Sequence, residues 1–177
     1  MKYIIGALSI LVILILGSLI FIYSGIYNIG ATSHHNKLTL WTINTLKDNS
    51  INHHSNDLNI KPPDLSDTSL IKTGFIHYRE MCVGCHGAPG IDQAEILLKG
   101  LYPRPPKLER TAKEFSVQQL FWIIKNGIKM TAMPAFGPSH PDDLIWAMVA
   151  FTQKLPNMTK EQYQTLDNQT KGENTKE

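Results

Sequence analysis

The residues best placed to do chemistry lie together, in Met81-Cys82-Val83-Gly84-Cys85-His86-Gly87. Two thiols three positions apart fall on neighbouring points of one helical turn, and a histidine follows at once. Cys-x-x-Cys-His is the pattern of covalent haem attachment. Each sulfur can form a thioether with one of the macrocycle's two vinyl groups, and the next residue can present an imidazole nitrogen to the iron. Gly84 and Gly87 allow the ring to come close to the backbone. Two other chemistries use part of the same run. A thiol–disulfide pair needs only Cys82 and Cys85, and a zinc site needs two further ligands at short spacing. The chain has 2 cysteines in all, and neither alternative gives His86 a task.

A six-coordinate haem needs a ligand on its other face. Downstream lies Asn126-Gly127-Ile128-Lys129-Met130-Thr131-Ala132-Met133-Pro134-Ala135-Phe136-Gly137, with two methionines on a Gly- and Pro-containing stretch. A thioether has no proton to lose, favours reduced iron and raises the reduction potential. Met133 is the expected ligand. Met130 is the alternative, and otherwise packs against the ring or stays at its rim. His34-His35 and His53-His54 are read as linker histidines in solvent, because nothing nearby completes a ligand set. Trp122, Trp146, Phe136 and Tyr102 are expected in helix packing or the haem pocket. Arg104, Lys125 and Lys129 either neutralise propionates or form a solvated basic rim.

From about Leu70 to Met158 the chain resembles a class I c-type cytochrome of the single-haem bacterial kind. The resemblance rests on Gly74-Phe75-x-x-Tyr78, Cys82-Val83-Gly84-Cys85-His86, Met133-Pro134-Ala135-Phe136, and Asp143 to Phe151 closing with Leu155-Pro156. It implies that His86 and Met133 are the axial ligands of one covalently attached haem c. It implies that a proline carbonyl accepts from the ring of His86, with Pro103, Pro105 and Pro106 as candidates. Pro105 is placed in the pocket with Arg104, Trp122, Met130 and Phe136. The resemblance also implies that the first and last helices of the domain cross.

The fold class expected is all-α: a small cytochrome c-like helical domain wrapped round one haem, preceded by a transmembrane helix. The boundaries are an anchor at 1–30, a polar linker with a short amphipathic patch at 31–67, the domain at 68–158, and a short helix with a disordered tail at 159–177. The first helix of the domain begins near Asp67 or Thr68 and runs into the cysteines. Its glycine, Gly74, costs about 1 kcal/mol relative to alanine, which makes sense where another helix crosses closely. The last helix carries the stripe Leu144, Met148, Phe151 and Leu155, capped by Ser139 or His140 with Pro141 in its first turn. Between them, Ser116-x-x-Gln119 opens a helix by a capping box, with Leu120, Ile123 and Ile124 as its buried face and Gly127 as its stop. A short helix is expected around Asp92 to Lys99, and another from Thr159.

Ile4 to Tyr27 is an apolar run of 24 residues, and Tyr3 to Asn36 contains no Asp, Glu, Lys or Arg. A bilayer core of about 30 Å needs about 20 helical residues. A cleaved signal has a shorter core of about 7–15 residues, so an uncleaved anchor is the reading. Lys2 stays on the cytoplasmic side and the remainder faces the periplasm of a bacterial inner membrane. In the linker, Leu38, Leu40, Trp41, Ile43 and Leu46 fit neither helical nor strand period. They are read as a short helical piece near the membrane.

Composition closes off other classes. The chain has 177 residues, 42% hydrophobic and 18% charged, and a net charge of +2. No basic run exceeds two residues, so nucleic acid has no electrostatic footprint. The expected function is a one-electron carrier of a respiratory chain, with both axial positions filled and no small-molecule substrate. Redox partners would be a dehydrogenase, a quinol-oxidising complex or a terminal oxidase, with the chain either a carrier or a fixed subunit. A ligand-binding haem sensor or enzyme needs an open sixth position, which Met133 argues against.

Overall fold

The computed structural model describes residues 1–57 and 60–172. The chain divides into two compact units, Met1–His34 and His35–Glu177. Among the described residues the structure is helical, with one isolated bridge between Ala88 and Ile91 and no strand.

The first unit holds α1 (Lys2–Ser24), long and apolar enough to cross a membrane. Its serines do not interrupt the apolar surface. Ser9 and Ser18 donate their hydroxyls to the Ile5 and Leu14 carbonyls at 2.9 and 2.8 Å, which removes the cost of an unpaired polar group in hydrocarbon. Gly25 takes a left-handed conformation at φ 67° and ends the helix. The apolar run to Tyr27 is therefore helical only to Ser24.

The second unit is built on α3 (Thr68–Met81) and α8 (Asp142–Lys154). Asp67 caps α3 by accepting from the Ser69 N–H at 2.8 Å. The two helices cross as the resemblance implies, and Gly74 is where they touch. A Cβ there would lie 1.9 Å from the Ala147 carbonyl oxygen. Every residue of α8 from Ile145 to Thr152 is buried, because α3 lies on one side and α7 (Val117–Asn126) on the other. Phe121 of α7 stacks on Trp146 with centroids 4.2 Å apart. Ser116 and Gln119 form the expected capping box. The buried side chains of α7 are Leu120, Phe121 and Ile124, with Ile123 half-buried. The cap of α8 is Pro141, not Ser139 or His140. The N–H groups of those two both bond the Phe136 carbonyl, at 3.0 and 2.8 Å, and so belong to the preceding turn. Asp142 and Asp143 face the positive end of α8.

Two stretches depart from the expected boundaries. Residues 31–67 are not mainly a linker. They contain α2 (Lys37–Asn56), capped by Asn36 and packed on α7. Ile51 and Ser55 are buried there, Asn52 accepts from Gln119 at 2.5 Å, and His54 stacks on Trp122 with centroids 5.6 Å apart. His54 is thus exposed to solvent, as expected, but also lies against Trp122. The apolar residues noticed in the sequence, Leu38, Leu40, Trp41, Ile43 and Leu46, are exposed instead, which explains their lack of a common period.

The second departure is at the other end. Thr159 opens α9 (Lys160–Gln169) with a capping box. Tyr163 is buried against Phe75, centroids 5.1 Å apart. Thr170 is fully buried, and its hydroxyl and carbonyl accept from Arg79 at 3.0 and 3.3 Å. The chain is therefore ordered beyond Asp167. The rest of the expected tail, 173–177, lies outside the described residues.

Short helices α4 (Val83–His86), α5 (Glu95–Leu98) and α6 (Leu108–Thr111) complete the unit. The α5 helix is shorter than the expected 92–99 stretch.

Candidate functional site

Helix α3 delivers Cys82, whose N–H bonds the Tyr78 carbonyl at 2.9 Å. The chain then turns into α4, where Cys85 and His86 donate back to the Cys82 carbonyl at 3.1 and 2.9 Å. Gly87 ends this turn at φ 69°, and the buried Tyr78 hydroxyl donates to its carbonyl at 2.6 Å. Both cysteines are half-buried and unpaired. Burial, with a smaller push from Cys85, raises the Cys82 thiol pKa to about 12. A reactive thiol–disulfide pair needs the opposite shift, so this environment disfavours the thiol oxidoreductase reading.

The ring of His86 is tied from one side. Its Nδ1 lies 2.8 Å from the Pro106 carbonyl oxygen. A carbonyl can only accept, so Nδ1 carries the proton and Nε2 carries the lone pair. Burial lowers the His86 pKa, against a smaller pull from that hydrogen bond, and the neutral ring a metal requires is favoured. The carbonyl on His86 is that of Pro106. Pro105, placed in the pocket from the sequence, does something else: its carbonyl accepts from Gln93 Nε2 at 2.9 Å. The same nitrogen donates to the Cys85 carbonyl at 2.7 Å.

The methionine stretch is fixed by α7. Phe136 and Gly137 donate to the Ile124 and Lys125 carbonyls at 3.1 and 2.9 Å. Gly127, at φ 66°, lets the strand of chain pass; a Cβ there would sit 2.7 Å from Met133 O, Pro134 C and Ala135 N. Thr131 Oγ1 accepts from the Met133 N–H at 3.1 Å. Met133 packs against the cluster of Leu120, Phe121, Ile145 and Trp146, as does Met81, the neighbour of Cys82. Met130 points away: it is 89% exposed, at φ 59°. The two methionines are thus distinguished by their surroundings.

The remaining pocket candidates divide. Phe136 is buried in that same cluster, with its ring edge-on to His140. Trp122 stacks on α2, and Arg104 is exposed. Lys125 is held by Asp142 at 2.5 Å and lies over the Phe121 ring, so it is not part of a loose rim. Sequence reasoning missed Gln93 altogether, since nothing in a lone glutamine on a loop signals a bridge. It missed the second use of Gly127, which was visible only as a helix stop.

The donor set fits a covalently bound haem. Two free thiols sit one turn apart, an imidazole is fixed with one nitrogen available, and a thioether is packed inward on a strapped loop. Residues 69–151 match the family model of cytochrome c oxidase, cbb3-type, subunit III. This segment is a class I c-type cytochrome domain. It binds haem c, and its role is electron transfer. No curated protein and no solved structure gives a significant match to the chain. The matched segment of the cytochrome domain contains nearly all of α3, the Cys-x-x-Cys-His turn, the methionine loop and most of α8, but neither α2 nor α9.

Proposed function

We propose that the chain is a membrane-anchored mono-haem cytochrome that carries single electrons and converts no substrate. Cys82 and Cys85 hold one haem c through two thioethers, and His86 and Met133 are its axial ligands. The observation that carries this reading is the His86 Nδ1–Pro106 bond, which leaves Nε2 as the coordinating nitrogen. Haem supplies a one-electron couple when bound. The protein's own part is to fix the imidazole, bring a thioether rather than a water to the sixth position, and wall the site with the α7–α8 core. Filling both axial positions lets oxidation state change without ligand exchange. Thioether ligation favours the reduced form.

Helix α1 is the single-pass anchor in a bacterial inner membrane. Lys2 at its amino end stays cytoplasmic and the haem domain faces the periplasm. Tethering raises the effective concentration toward membrane partners: a dehydrogenase, a quinol-oxidising complex or a terminal oxidase. A second reading, that the chain is a fixed subunit of such a complex, is favoured by one observation. Helix α2 exposes Leu38, Trp41 and Leu46, which suits a permanent contact surface. The family match, to a subunit of an oxidase, points the same way.

The test is mass spectrometry and visible spectroscopy on protein made in a host that attaches haem c. The 82–85 peptide is expected to carry one porphyrin, and the reduced protein should not bind carbon monoxide until denatured. An unmodified peptide refutes the attachment, and carbon monoxide binding to the native protein refutes Met133 as a firm ligand.

A further inference from the structure

We propose that Gln93 is a positioning residue for the haem ligand: its side-chain amide holds the Pro105–Pro106 segment against Cys85 and so sets the hydrogen bond that orients His86. This rests on the reading that His86 ligates the iron.

The geometry is a pair of parallel links between two dipeptides. Cys85 immediately precedes His86, and Pro105 immediately precedes Pro106. Gln93 Nε2 joins the first members, 2.7 Å from the Cys85 oxygen and 2.9 Å from the Pro105 oxygen. His86 Nδ1 joins the second members directly at 2.8 Å. An amide nitrogen has two hydrogens, one for each carbonyl. Successive prolines have no N–H, so Pro105–Pro106 can be hydrogen-bonded to its surroundings only through its carbonyls, and the two links use both.

Gln93 is itself held in place. The N–H of the next residue, Ala94, bonds the Gly84 carbonyl at 2.9 Å. Its Cγ lies over Gly87, 3.4 Å from where a Cβ would be. On its other side Asp92 pairs with Lys107 at 2.8 Å, although that exposed pair contributes little. The bridge thus belongs to a short seam between residues 84–86, 92–94 and 105–107.

The consequence is electronic as well as structural. A carbonyl accepting from the distal ring N–H fixes the tautomer and raises the basicity of the ligating nitrogen, and such hydrogen bonds tune haem potentials. Without the amide, two half-buried carbonyls lose a donor and the proline segment is free to draw back. The Nδ1–H bond then weakens, the imidazole donates less, and the oxidised form loses stabilisation.

The test uses the haem-loaded full chain in detergent. Gln93→Met keeps length and removes both donors. It should shift the reduced-to-oxidised equilibrium three- to tenfold toward reduced, up to about 59 mV for one electron. Solvent exchange of the His86 Nδ1–H, followed by NMR, should quicken about tenfold. Gln93→Asn, one methylene short, can reach one carbonyl; it should give a smaller shift of the same sign, and it serves if Gln93→Met does not fold. Unchanged potential and exchange in the folded variants, with only stability lowered, would mean that the amide merely packs. A downward shift also overturns the proposal. His86→Ala tests the underlying reading separately: if it keeps the parent's spectrum and potential, His86 is not the ligand.

Discussion

Substituting alanine for Gly74 puts a methyl carbon 1.9 Å from the Ala147 carbonyl oxygen, 2.5 Å from the Ala147 carbonyl carbon and 3.0 Å from Phe151 Cβ. Close carbon–oxygen contacts lie near 3.3 Å, so the two helices must separate by about 1.4 Å at the crossing. The obstruction is backbone in the middle of a fully buried stretch of α8, and no side-chain rotation relieves it. Overpacking costs about 1–3 kcal/mol, and an obstacle made of backbone belongs at the upper end. Alanine's better helix propensity returns about 1 kcal/mol. The net loss is about 2 kcal/mol, a fall in Tm of roughly 8 °C for a domain of this size. Thermal unfolding of the haem-loaded chain, read by circular dichroism, measures it. Gly100→Ala is the control, because nothing lies within 4 Å of a Cβ there, and it should stay within about 0.5 kcal/mol of the parent. If Gly74→Ala unfolds with the control, α3 and α8 do not meet at this distance and the close-crossing argument fails.

Gly127→Ala should displace the methionine loop, since it forces a residue at φ 66° and a Cβ at 2.7 Å from three backbone atoms of 133–135; loss of the sulfur-to-iron absorption, along with about 2 kcal/mol of stability or more, checks this. Met133→Ala should lower the reduction potential and admit cyanide to the iron, whereas Met130→Ala, at an exposed position, should leave both unchanged in redox and ligand titrations. Ile51→Ala, in the buried contact of α2 with the domain, should cost about 2–5 kcal/mol of local packing and make 37–56 the first segment cut in limited proteolysis. His77 is buried, and burial, then the charge of His140, lowers its pKa; the unfolded chain therefore binds its proton more tightly, so stability is full above about pH 6.5 and falls as pH drops toward the folded value. His77→Leu should flatten that slope in denaturant titrations from pH 7 to pH 5.

How much of this was legible beforehand depends on the distance over which each feature is determined. The haem-attachment run, the capping boxes at Ser116 and Thr159 and the Gly127 stop are local, and short-range chemistry announces them. The crossing at Gly74 was legible for a related reason: a glycine inside an apolar helical stripe has few explanations other than close approach. Helix α2 was not, because its docking face offers one buried apolar residue, Ile51, while its conspicuous ones point outward. Its attachment uses an amide pair and a His–Trp stack, neither of which leaves a periodic trace. The same holds for Thr170, buried at the end of a polar helix, where Arg79 reaches it from α3.

The proline segment shows where the boundary lies. Three prolines in Tyr102-Pro103-Arg104-Pro105-Pro106 are equivalent as acceptors, since each has a carbonyl and none a donor. On the proposal above, which one meets His86 follows from where the loop is pinned, and the pin is a side chain thirteen residues before Pro106. Gln93 spends its amide on Cys85 and Pro105, and this leaves Pro106 as the carbonyl opposite the imidazole. Under the proposed ligation, His86 belongs to a five-residue motif, while its orientation, and with it the electron density it would donate, depends on a loop contact outside that motif. Two cytochromes with identical attachment motifs and axial ligands would then differ in potential through residues such as this one.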